Sequence, residues 1–229
     1  MPMDAIHDTQ APRDTDRSLL VMLPGATHKP RDFERYGFVR ALRERTLAVD
    51  TIAVDAHLGY YLERSVVERL GEDIIAPARA RGYRRIWLLG ISLGGMGALM
   101  YARERTAEVA GVIVLAPFLG VRGTIDEIVR AGGIAQWHPG ETAALDDERI
   151  LLAWLKAYGA VSPALPQIHL GYGTGDRFIA ASEVLASRLP SSQVVTVAGG
   201  HDWPAWTALW ETLLDRDVFA CSAHAPRAP

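Results

Sequence analysis

One cysteine, Cys221, stands in the whole chain of 229 residues. A disulfide framework is therefore excluded, and a reducing compartment, the cytoplasm, is the expected setting. Cys221 also lies near the C-terminus, outside any periodic segment, which argues against a nucleophilic role. No charge excess is present either: 24 Lys and Arg face 27 Asp and Glu, a formal net charge of -3. That balance offers no attraction for a nucleic acid or an anionic membrane surface. No apolar run reaches the roughly eighteen residues of a membrane span. Met1 to Arg17 are polar and hold no signal-like apolar core, so they are expected to form a flexible tail, as are residues 220–229. Compact metal-ligand spacings such as H-E-x-x-H are missing, and neither metal nor cofactor is expected.

What the chain does have is alternation. Short apolar runs recur between helix-like stretches, the pattern of a parallel sheet covered by helices on both faces. The runs are Ser18 to Leu23, Thr51 to Val54, Arg85 to Leu89, Gly111 to Ala116, Gln167 to Gly171 and Gln193 to Ala198. Near-continuous apolar character suits strands buried on both sides. Helices are expected over Arg31 to Arg45, Glu63 to Arg81, Gly94 to Arg105, Ile179 to Arg188 and Pro204 to Leu214. The rhythm breaks between Phe118 and Pro166, where only two helix-like pieces occur, Thr124 to Ala131 and Asp147 to Tyr158. So long a connection reads as a small helical cap, about 119–165, inserted into one domain spanning 18–215.

The densest chemistry sits at Gly90-Ile91-Ser92-Leu93-Gly94-Gly95, directly after an expected strand and before an expected helix. A sharp turn there presents the Ser92 hydroxyl above the sheet, and glycines allow the backbone to close so tightly. The other reading is a glycine-rich junction for a phosphate or for close packing, although the phosphate-loop pattern is absent. A serine needs a base. Of seven histidines, His201 follows the last strand and a Gly199-Gly200 pair, at the same edge of the sheet as Ser92. His169 falls inside a strand, His57 and His138 in loops, and His7 and His224 near the ends. Asp176, after the fifth strand, is the expected acid that orients His201, with Asp202 and Asp55 as weaker choices. Oxyanion donors are expected from the amide of Leu93 and from the loop after the first strand, at Ala26 or, second, Thr27.

With these residues in place, the chain resembles the α/β-hydrolase superfamily from about Ser18 to Leu214. GISLGG, YGTGDRF and GGHDW are similar to its nucleophile, acid and histidine loops, and Ser92, Asp176 and His201 follow its chain order. The resemblance implies a three-layer α/β/α fold with a mainly parallel sheet of about six strands, a cap in the Phe118 to Pro166 insertion, and a site between cap and sheet. Two departures stand out. Pro24-Gly25 replaces the family's His-Gly in the oxyanion loop, and the polar N-terminus leaves little room for an opening antiparallel hairpin. The implied activity is hydrolysis of a small-molecule ester of small to medium acyl chain, without a cofactor. Thr27, His28, Phe118, Trp137 and Trp154 are the candidate pocket residues. A thioesterase or acyltransferase would use the same triad, other cofactor-free chemistry on this fold would keep the serine, and a binding protein would need no triad.

Overall fold

A computed structural model of the protein describes residues 2–9, 18–140, 146–159 and 165–219. Cys221 and His224 lie outside them. In chain order the elements begin with strands β1 (Ala5–Asp8) and β2 (Ser18–Leu23), helices α1 (Pro30–Arg35) and α2 (Phe38–Glu44), and strand β3 (Val49–Val54). Helices α3 (Leu58–Leu62), α4 (Val66–Arg69) and α5 (Ala76–Ala80) follow, the last two joined through a π-helical stretch, Leu70–Ile75. Next come β4 (Arg85–Ile91), α6 (Leu93–Glu104) and β5 (Gly111–Leu115), then α7 (Arg122–Arg130) and α8 (Asp147–Leu155). The chain closes with β6 (Gln167–Gly173), α9 (Ile179–Ala186), β7 (Val194–Val197) and α10 (Trp203–Asp215).

The strands form one sheet in the order β1-β3-β2-β4-β5-β6-β7. Strands β2 to β7 are mutually parallel. Side chains alternate across it: Leu19, Val21 and Leu23 point into a core with α4, α5, α6 and α9, while Leu20 and Met22 join Phe33, Phe38, Trp206 and Trp210 on the other face. Both faces are covered, which is why β2 reads as an unbroken apolar run.

Two expectations need correcting. The helix expected over Arg31 to Arg45 is divided at Gly37, whose φ of 82° lies in the left-handed region. The N-terminal end is not loose over Ala5–Asp8: β1 adds a seventh, antiparallel strand against β3, with Ala5 opposite Val54 and Asp8 opposite Thr51. Its polar sequence, AIHD, hides a strand whose support comes from backbone pairing and from ionic anchoring. Arg43 holds Asp8 at 3.2 Å and donates to the Val49 carbonyl at 2.8 Å, and Asp73 accepts from the Met3 amide at 2.7 Å.

Between β5 and β6 the described residues contain no strand, only α7, α8 and short turns. Arg149 of α8 grips Glu127 of α7 through both carboxylate oxygens, at 2.6 and 3.1 Å. Trp137 donates its indole N–H to the same Glu127 at 2.8 Å, and Lys156 donates to the Trp137 carbonyl at 2.9 Å. These contacts tie the two cap helices into one piece.

Candidate active site

Parallel strands deliver their carboxyl ends to one edge of the sheet, and the chemistry-bearing loops collect there. Strand β4 turns into α6 at Ser92, which adopts φ 52° and ψ -115°. A side-chain-bearing residue holds such a backbone only when its surroundings enforce it. Here the Ser92 amide donates to the Leu115 carbonyl at 3.0 Å, and the Ser92 carbonyl accepts from Gly95 and Phe118, both at 2.9 Å. Glycines make the turn sterically possible. A Cβ on Gly90 would overlap the Gly94 carbonyl, and one on Gly94 would overlap the Leu23 carbonyl. The second contact brings the loop after β2 against the turn, placing Ala26 beside Leu93 on the wall of one cavity. Among the described residues neither of those two amides donates to a protein acceptor.

Ser92 Oγ lies 3.0 Å from Nε2 of His201, and Nδ1 of His201 lies 2.8 Å from Oδ2 of Asp176. Asp176 is buried, and its other oxygen accepts from the Phe178 amide at 2.7 Å. The acid and histidine loops are joined by backbone: Thr174 donates to Val197 at 2.8 Å and Gly175 to Gly199 at 2.9 Å. A Cβ on Gly173 would overlap the Gly199 carbonyl, so that close approach requires glycine. The His201 ring is held edge-to-face between Phe178 and Trp206, with centroids at 4.9 and 5.1 Å. Three residues distant in sequence thus form one hydrogen-bonded chain.

The alternative acids are engaged elsewhere. Asp202 caps α10 by accepting from Ala205 at 3.1 Å, and Asp55 pairs with Lys29 at 3.4 Å. His57 caps α3, His7 and His138 are exposed, and His169 is buried in β6. Burial lowers the His169 pKa to about 4 and favours its neutral form.

A cavity of about 710 Å³ opens over Ser92 and His201. Phe118 lines it, as read from the sequence, but Thr27, His28, Trp137 and Trp154 do not. Thr27 is exposed. His28 lies behind the loop, edge-to-face with Trp203 and Trp206, and burial lowers its pKa. Trp137 is consumed by the cap core, and Trp154 packs on Tyr158. The walls instead include Leu58, Arg122, Ile125, Asp126, Arg177 and Phe178. Arg177 and Phe178 were inferable from their place beside Asp176. The α7 residues carry no comparable signal, because the hang of a cap over a sheet leaves no trace in spacing.

A family model described as the alpha/beta hydrolase family matches residues 20–228. The chain belongs to this family. Comparison with curated proteins gives no match. Among solved structures, the hydrolase fold recurs in S-formylglutathione hydrolase FrmB from Staphylococcus aureus, with TM-score 0.59 and 13% identity over 94% of this chain and 97% of that one. FphF, a fluorophosphonate-binding serine hydrolase of the same bacterium, gives 0.58 and 15% over 94% and 99%. Est1E from Butyrivibrio proteoclasticus, solved with ferulic acid, gives 0.56 and 15% over 94% and 96%. At such identities the likeness is one of fold. Among the described residues, no helix is long and apolar enough to cross a membrane, and no group of three or more His, Cys, Asp or Glu could hold a metal.

Proposed function

We propose that the protein is a serine hydrolase that cleaves a carboxylic ester of small to medium acyl chain through an acyl-enzyme. The observation that carries this reading is the hydrogen-bonded chain from Ser92 through His201 to Asp176, at 3.0 and 2.8 Å, on a strained turn facing a cavity. Ser92 Oγ attacks the ester carbonyl carbon while its proton passes to Nε2 of His201. The oxyanion is stabilised by the amides of Leu93 and Ala26, which have no other acceptor among the described residues. As the tetrahedral intermediate collapses, the bond to the leaving oxygen breaks and His201 returns the proton to the departing alcohol. Water, deprotonated by His201, then attacks the acyl-enzyme. The acid leaves and Ser92 regains its proton. Asp176, buried and acceptor-only, keeps the Nδ1–H tautomer of His201 and stabilises the imidazolium.

Labelling with a fluorophosphonate probe tests this directly. The wild type is expected to react, and Ser92→Ala and His201→Ala are expected not to. Labelling that survives Ser92→Ala overturns the reading. The likeness to FphF supports the choice of probe. p-Nitrophenyl esters of increasing length, run beside acyl-thioesters, separate an esterase from a thioesterase that shares the triad.

A further inference from the structure

Besides Ser92 and His201, the cavity wall is apolar except at three charged side chains: Arg122 at the start of α7, Asp126 one turn later, and Arg177 beside the acid. Among the described residues neither arginine makes an ion pair, whereas Arg43, Arg69 and Arg149 each do. Arg177 is exposed but has an aromatic neighbour. Its guanidinium lies 4.7 Å from the centre of the Phe178 ring, and that ring in turn packs edge-to-face on His201. One guanidinium therefore comes from the cap and one from the acid loop, and both line the cavity that Ser92 faces. Asp126 offsets one of the two, leaving a net positive wall in a protein of net charge -3. Arginine presents a planar fork of donors that fits carboxylate and phosphate oxygens, and Arg122 and Arg177, both exposed at the cavity, offer it as a salt-sensitive surface charge.

We infer that Arg122 and Arg177 select an ester whose acyl or alcohol part carries an anionic group, a carboxylate or phosphate, while its neutral carbon chain lies against Phe118, Ile125 and Phe178. This rests on the hydrolase reading above and names the substrate class of that same site. The charge acts on binding and orientation and adds no covalent step.

The test is a set of matched pairs. On the acyl side, mono-p-nitrophenyl glutarate is compared with p-nitrophenyl valerate. On the alcohol side, 4-acetoxybenzoate is compared with its neutral methyl ester. One pair is expected to show a kcat/KM preference for the anionic member, and that pair says which part carries the charge. Arg122→Gln and Arg177→Gln should each reduce that anionic-to-neutral ratio by about fivefold. Asp126→Asn should raise it, and added salt should shrink it. Arg130→Gln, at the far end of α7 and outside the cavity wall, should leave the ratio unaltered. Hydrolysis of neutral esters with no anionic preference in either pair, or a preference indifferent to both arginine substitutions, overturns the proposal and leaves the hydrolase reading standing. Failure of the wild type to turn over any ester and to take the fluorophosphonate overturns both.

Discussion

At Asp176 the proposed hydrolysis turns on a single proton position. Replacing the carboxylate by an amide preserves shape but lets His201 adopt the tautomer that cannot accept the serine proton. Asp176→Asn is therefore expected to lower kcat on a p-nitrophenyl ester by about ten-thousandfold, with KM little changed. If Asp202→Asn or Asp55→Asn does this instead, the acid has been misassigned. Glycine offers a second contrast at the same scale. A methyl group at Gly94 meets the Leu23 carbonyl, so Gly94→Ala is expected to depress Tm and the proposed ester hydrolysis together. Gly123, early in α7, has nothing within 4 Å of its would-be Cβ. Gly123→Ala should raise unfolding free energy by about 0.5–1 kcal/mol in a denaturant titration, because alanine loses less backbone freedom.

At the scale of elements, the cap is held by charge as well as by packing. Hydrogen bonds from Arg149 and then Trp137 hold the Glu127 carboxyl at a pKa of about 2, below the ordinary 4.5. A depressed carboxylate stabilises the fold fully above its unfolded pKa and ceases to do so as pH falls through its folded one. The Tm difference between wild type and Glu127→Gln should accordingly be constant above about pH 5 and narrow between pH 4.5 and 2. A difference that keeps its full size from pH 5 down to pH 2 would show that Glu127 acts by packing alone. Elements also show where sequence reading succeeds. Strands β2 to β6 announce themselves because burial on both faces favours near-continuous apolar residues, and the edge strand β7 still shows three valines ahead of Gly199. β1 does not, since an edge strand paired on one side tolerates the His7 and Asp8 that disguise it. The triad is legible for a related reason. Its three loops must each leave a strand end, and glycines mark the close approaches at Gly90, Gly94, Gly173 and Gly199. The cavity wall is legible only at Phe118: Trp137 and Trp154 have the right chemistry for a pocket, yet Glu127, Arg149 and Tyr158 hold them within the cap.

Over the whole molecule, the sheet separates two apolar cores, and a buried histidine lies within it. His169 is held neutral by burial, with a pKa of about 4 against 6.5 in the open chain. Between those values the unfolded chain binds a proton that the folded one refuses, so stability falls as pH drops from about 6.5 to 4. His169→Leu should flatten that part of the stability-against-pH curve. An unaltered slope would mean that His169 takes its proton in the folded state too.

The two backbone bonds joining the acid loop to the histidine loop have a further consequence. They lie beyond β7, a four-residue strand at the open margin of the sheet, whereas Ser92 sits beyond β4 near its middle. Margins open before centres when a protein is warmed. Ser92 and His201 therefore belong to regions of unequal endurance, and heat should part them while most of the fold survives. Inactivation should then run ahead of global melting, with the Thr174 and Gly175 amides exchanging their hydrogens in step with the loss of turnover.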